Sequence, residues 1–97
     1  MKLAELENDI STDWLHKEGY DKVRKVVLTH GEDWSGNESL FIWLLVDNKV
    51  KDRDLSWKKI EPMVEKVRRR ASERMNFEFF PYIRVLRENE YGLPFRP

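Results

Sequence analysis

The residues best suited to chemistry lie between positions 30 and 39. His30, Glu32, Asp33 and Glu38 bring one imidazole and three carboxylates into a short stretch. Oxygen-rich sets of this kind suit Mg or Ca. The calcium-loop spacing is absent, as is any pair of histidines at helical spacing. The stretch therefore reads as a solvated hairpin loop with Trp34 folded back on the core, and no metal or cofactor is assigned. Ser35 and Ser39 offer hydroxyls, and His30 or His16 a base. However, Ser35-Gly36 lacks the flanks of a nucleophile elbow, and no acid–base–nucleophile set emerges. A non-enzymatic protein with no catalytic residues is expected. His16, near a helix C-terminus, reads as a favourable charge at the helix dipole.

A run of cations follows further along. Lys58, Lys59, Lys66, Arg69 and Arg70, bordered by Arg68 and Arg74, share the outer face of an expected helix. Such a face can touch phosphates. Glu61, Glu65 and Glu73 interrupt it, and Lys plus Arg (18) balances Asp plus Glu (18). Zero net charge argues against a dedicated nucleic-acid binder. The element order set out below invites comparison with K-homology RNA-binding domains. Their GXXG loop is missing, because the glycines at 19, 31, 36 and 92 never stand three apart. RNA or DNA contact through Lys58, Lys59, Lys66, Arg69 and Arg70 is the alternative to a solvated helix face.

Apolar periodicity shows which elements must position these groups. Leu40-Phe41-Ile42-Trp43-Leu44-Leu45-Val46 is an unbroken apolar run between Gly36-Asn37 and Asp47-Asn48. It reads as a strand over 39–46 buried on both faces, and it is too short to span a membrane, which takes about 20 residues. Leu3, Leu6, Ile10 and Trp14 make one stripe on a helix over 2–18, with a break possible between Asn8 and Thr12. Gly19 is placed as its left-handed C-cap. Residues 22–30 alternate as a strand, with Val23, Val27 and Thr29 on one face and Arg24, Val26, Leu28 and His30 on the other. Residues 47–55 are charged and read as a loop. Ser56 caps a helix over 57–75 with the stripe Trp57, Ile60, Val64, Val67, Ala71 and Met75. Pro62 lies beyond the first turn, where Pro is tolerated, so either a short turn precedes the helix or the helix bends there. Asn76 is a reasonable stop. Residues 77–86 form a third strand, with Phe77, Phe79, Ile83 and Val85 on one face and Phe80, Tyr82 and Leu86 on the other. Pro81 makes it an edge strand or bulges it.

The order is α-β-β-α-β. A helix joining two strands of one sheet returns the chain parallel, so the third strand should run parallel to the central one. The expected fold is α+β. It is a two-layer sandwich in which a three-stranded mixed sheet carries two helices on one face. The 97 residues make one domain, with 86–97 as an extended C-terminal tail. The core is expected to include Leu6, Ile10, Ile42, Leu44, Ile60, Val64, Val67 and Val85. The absence of cysteine excludes disulfides and permits a cytoplasmic home. Met1-Lys2-Leu3-Ala4-Glu5 lacks a signal-peptide core.

Asp33-Trp34-Ser35-Gly36-Asn37-Glu38-Ser39-Leu40, followed by Phe80-Pro81-Tyr82-Ile83-Arg84, resembles a group of small bacterial proteins from two-gene cassettes of toxin–antitoxin character. The resemblance covers residues 22–86. It implies a non-enzymatic partner protein and carries over no catalytic residue. The expected function is a cytoplasmic interaction protein, binding itself or a second protein chain, with no membrane association. The uncovered sheet face and the apolar tail supply the candidate interface, Phe80, Tyr82, Leu93 and Phe95, since an exposed apolar face marks an interaction surface.

Overall fold

The computed structural model describes residues 3–75 and 80–91; side chains are described from Glu5 onward. Its elements follow the expected order: α1 (Leu3–Asp9), α2 (Thr12–Lys17), β1 (Val23–Glu32), β2 (Glu38–Val46), a 3-10 turn (Asp52–Leu55), α3 (Trp57–Arg74), β3 (Phe80–Arg87) and a second 3-10 turn (Glu88–Glu90). The sheet order is β1-β2-β3. β1 and β2 pair antiparallel, and β2 and β3 pair parallel. The helices cover one face of this mixed sheet, where Leu6, Ile10 and Leu15 meet Leu40, Ile42, Leu44, Val67, Ala71 and Met75.

The N-terminal helix is broken rather than continuous. Ser11 adopts an extended conformation and its Oγ accepts from the Trp14 N–H at 3.1 Å, which starts α2 afresh. The break re-phases the apolar stripe. Leu15 is fully buried, while Trp14, expected on the apolar stripe, is only half-buried. Gly19 (φ +96) ends α2 as expected. The Tyr20 N–H bonds the Leu15 carbonyl and the Gly19 N–H bonds the His16 carbonyl, the paired bonds of a Schellman cap.

The faces of β1 also differ from simple alternation. A register shift between Val23 and Lys25 inserts one extra residue. This β-bulge turns Val23 into the core together with Val26 and Leu28, instead of grouping it with Val27 and Thr29. Residues 47–55 are not wholly a solvated loop. Asp52–Leu55 is helical and Val50 is buried in the core. α3 runs through Pro62 without interruption. Ser56 is its N-cap by position, but its side chain makes no capping bond. Trp57, expected in the apolar stripe, is 56% exposed. Pro81 lies on an edge strand, opposite Leu40. Arg87 ends β3 and residues 88–90 turn, so regular structure extends past residue 86. Phe77, Phe79, the expected stop at Asn76 and the tail residues Leu93 and Phe95 lie outside the described residues. No helix among the described residues is long and apolar enough to cross a membrane.

Candidate interaction surface

The site is built at the end of the sheet where the β1–β2 hairpin turns. Glu32 still pairs with Glu38, so the turn is tight: Asp33-Trp34-Ser35-Gly36-Asn37. The Gly36 N–H bonds the Asp33 carbonyl at 3.0 Å, and Gly36 takes φ +84, a conformation that glycine adopts freely. The Asp33 N–H returns to the Asn37 carbonyl at 2.8 Å.

The Asp33 carboxylate organises this turn. Oδ1 accepts from the Ser35 N–H (2.9 Å), the Ser35 hydroxyl (2.8 Å) and the Asn37 N–H (3.0 Å). Oδ2 faces the buried Ser39 hydroxyl at 3.3 Å and accepts from the Tyr82 hydroxyl at 3.1 Å. Partial desolvation opposes the charged form. The Ser35 hydroxyl, the Asn37 and Ser35 N–H groups and the Tyr82 hydroxyl outweigh it and lower the pKa to about 2. Desolvation, aided by Asp33, raises the pKa of Tyr82.

Tyr82 is the centre of an aromatic cluster on the sheet face away from the helices. Parallel register sets it beside Phe41, with the rings 5.4 Å apart and nearly parallel. Phe80 meets its edge at 4.6 Å and Trp34 leans on it at 5.3 Å. Trp34 was expected to fold back on the core. It packs on Tyr82 instead and stays 84% exposed, because the tight turn projects it past the end of the strands. Phe80 is 54% exposed. Trp43, two residues from Phe41, carries Tyr91 edge-on at 5.5 Å. Two aromatic groups, one around Tyr82 and the Trp43–Tyr91 pair, thus lie at neighbouring positions, and exposed apolar surface of this kind marks a contact region.

The other expected chemistry is dispersed. The hydroxyls of Ser35 and Ser39 serve the Asp33 turn, and His16 Nε2 donates to the Val23 carbonyl at 2.8 Å. No group of three or more acidic or histidine side chains among the described residues could hold a metal ion. On α3, Lys66 pairs with Glu18 at 2.7 Å. Arg70 Nε donates to the Asp9 carbonyl, and its guanidinium lies 4.5 Å from the Trp14 ring centre. Lys58, Lys59 and Arg69 are exposed. A crevice of about 170 Å³ is lined by Tyr20, Val50, Leu55, Ile60 and Met63, among others. It falls below the usual size of a small-molecule site, about 300–1,000 Å³.

Phe80 and Tyr82 were legible as candidates from strand alternation. Strand alternation also put Trp43 or Phe41 on the open sheet face, together with Leu28, which packs against the core instead; Trp34 and Asp33 were missed as parts of this surface. Asp33-x-Ser35-x-Asn37 carries an Asx-turn signal, but its link to Tyr82 depends on parallel register. Comparison with protein-family models, curated proteins and solved structures gave no match to this chain.

Proposed function

We propose that this chain is a non-enzymatic, cytoplasmic interaction protein that binds a second protein chain through the aromatic sheet face. The observation that carries the reading is the cluster around Tyr82. Its position is fixed by β-sheet register and by the Asp33 hydrogen bond, yet it leaves Trp34 and Phe80 largely in water. Rigid aromatic anchors of this kind dominate protein interfaces. A partner encoded beside the chain fits the resemblance to two-gene cassettes. The nucleic-acid alternative has less support, because Lys66 and Arg70 are engaged by Glu18, Asp9 and Trp14.

The test is co-purification of the tagged chain from its native cells, beside a Trp34→Ala/Phe80→Ser variant. The wild type is expected to retain a defined partner chain that the folded variant loses. Equal retention by both would remove the aromatic face from the interaction.

A further inference from the structure

The outer edge of β3 borders the aromatic face, and β3 is a terminal strand of the sheet. Three observations fix which of its backbone groups point outward. The Arg87 N–H turns away from β2 and bonds Glu90 Oε1 at 2.8 Å. Pro81, in the same phase, has no N–H and stands where β2 asks for none. Across the sheet, the Asp33 N–H bond to the Asn37 carbonyl marks Gly31–Ser39 and Thr29–Phe41 as hydrogen-bonded pairs. Leu40 and Ile42 therefore turn their backbone groups to β3 and bond Tyr82, which lies opposite Phe41. The even positions of β3 face β2, so Pro81, Ile83 and Val85 face outward. Among the described residues nothing pairs with the Ile83 and Val85 N–H groups.

An unpaired edge templates a further strand, and proline and charge normally blunt it. Here they select one register. A second β3 arriving antiparallel can be centred on position 82, 83 or 84. Centring on Arg84 sets it against Arg84 of the second copy, and like charges directly opposite are destabilising. Centring on Tyr82 carries Val85 beyond Phe80, the first residue of the second copy's strand. Centring on Ile83 has neither fault. The two Ile83 residues exchange N–H and carbonyl bonds, and each Val85 N–H meets the Pro81 carbonyl of the second copy, where proline need only accept. On the helix side Val85 faces Pro81. On the aromatic side Phe80 faces Leu86, and Tyr82 faces the exposed Arg84, a cation over an aromatic ring.

We propose that two copies of this chain pair antiparallel through their β3 edges, centred on Ile83, into one six-stranded sheet with both aromatic faces on the same side. The two-fold axis repeats every contact. Trp34 lies outside the pairing, so this dimer and the binding of a partner chain at the aromatic face can fail separately.

Sedimentation velocity is run on the full chain from micromolar to millimolar concentration, with amide hydrogen exchange at both extremes. The wild type is expected to dimerise, and the Ile83 and Val85 amides to be protected only where the dimer prevails. Leu86→Lys and Phe80→Glu each spoil one cross-strand pair twice per dimer and should weaken assembly about tenfold. Mixed together they should restore it as a heterodimer, because a lysine then faces a glutamate and one Phe80–Leu86 contact survives. Trp34→Ala should dimerise like the wild type. Hydrogen exchange of the wild type decides the matter even where a variant fails to fold. A wild type that stays monomeric throughout overturns the proposal. So does a dimer whose Ile83 and Val85 amides exchange freely, one that a folded Leu86→Lys variant leaves intact, or one that Trp34→Ala abolishes.

Discussion

The Tyr82 hydroxyl donates to Asp33 Oδ2 at 3.1 Å, tying β3 to the β1–β2 turn across 49 residues of sequence. One carboxylate thereby fixes both the hairpin turn and the tyrosine at the centre of the aromatic face. Its protonation state should therefore be felt in the fold. The folded pKa of Asp33, about 2, lies below the ordinary carboxyl value of about 3.9. A depressed acid stabilises the fold fully above its unfolded pKa and loses that contribution as pH falls through the folded one. Melting temperature is expected to drop as pH falls from about 4 to about 2. Asp33→Asn should melt lower than the wild type at neutral pH and show a flatter acid limb. Thermal melts at stepped pH check this, and parallel acid limbs would exclude Asp33 as a contributor.

Tyr82 should titrate late. Desolvation and its bond to Asp33 raise its pKa above the ordinary tyrosine value, so its stabilising contribution is present below that value and lost as pH rises through the folded pKa. NMR titration of the tyrosine rings should show one ring ionising above the usual range and absent in Tyr82→Phe. In Asp33→Asn that ring should ionise earlier, yet still late, since desolvation remains. An unshifted ring in the wild type would refute the packing described.

Chain reading recovered the strands, the parallel return of β3 and most of the core, because these follow from local period and a connection rule. Leu44, Ile42, Val64 and Val67 are buried as expected, with Ile60 and Val85 partly so. Of two single-residue phase shifts, the restart at Ser11 was open as a break between Asn8 and Thr12, while the bulge beside Arg24 escaped it. Each turns neighbouring side chains to another face, and the bulge leaves no trace in composition. The Asp33–Tyr82 link was hidden for a different reason. It needs the register of two strands separated by a helix, which no short stretch encodes.

The phase shift in α2 yields a prediction about the core. Leu15 is fully buried, whereas Trp14 lies half-buried beneath Arg70. Leu15→Ala should cost about 2–5 kcal/mol, as for other buried leucines. Leu44→Ala should fall in the same range. Trp14→Ala should cost less than Leu15→Ala despite removing a larger side chain. Urea denaturation of the three variants decides this, and a Trp14→Ala loss exceeding that of Leu15→Ala would mean that the uninterrupted stripe of Leu3, Leu6, Ile10 and Trp14 was correct.

The basic face of α3 divides into cations that hold the helical layer together and cations that do not. Arg70 spans from α3 to α1 and α2: its Nε bonds the Asp9 carbonyl, its NH2 group lies 4.0 Å from the Asp9 carboxylate, and its plane covers Trp14. Arg74 adds a second contact to Asp9 at 3.2 Å. Lys66 reaches Glu18 at 2.7 Å, and that bond, which outweighs partial desolvation, raises its pKa. Arg69 projects into solvent. Arg69→Glu should therefore change stability by no more than about 0.5 kcal/mol, as at other exposed sites. Arg70→Glu should cost about 1–3 kcal/mol, because it leaves the Asp9 carbonyl without its donor and sets like charges together. Lys66→Glu should be destabilising in the same direction and should be relieved by Glu18→Lys, which restores the pair with reversed sign. Denaturant melts of the single variants and of the Lys66→Glu/Glu18→Lys pair measure this. Equal, negligible effects at positions 66, 69 and 70 would show that the whole face is solvated and free to meet a phosphate backbone. That result would remove the structural objection to the nucleic-acid alternative, which salt-dependent binding to RNA would then decide.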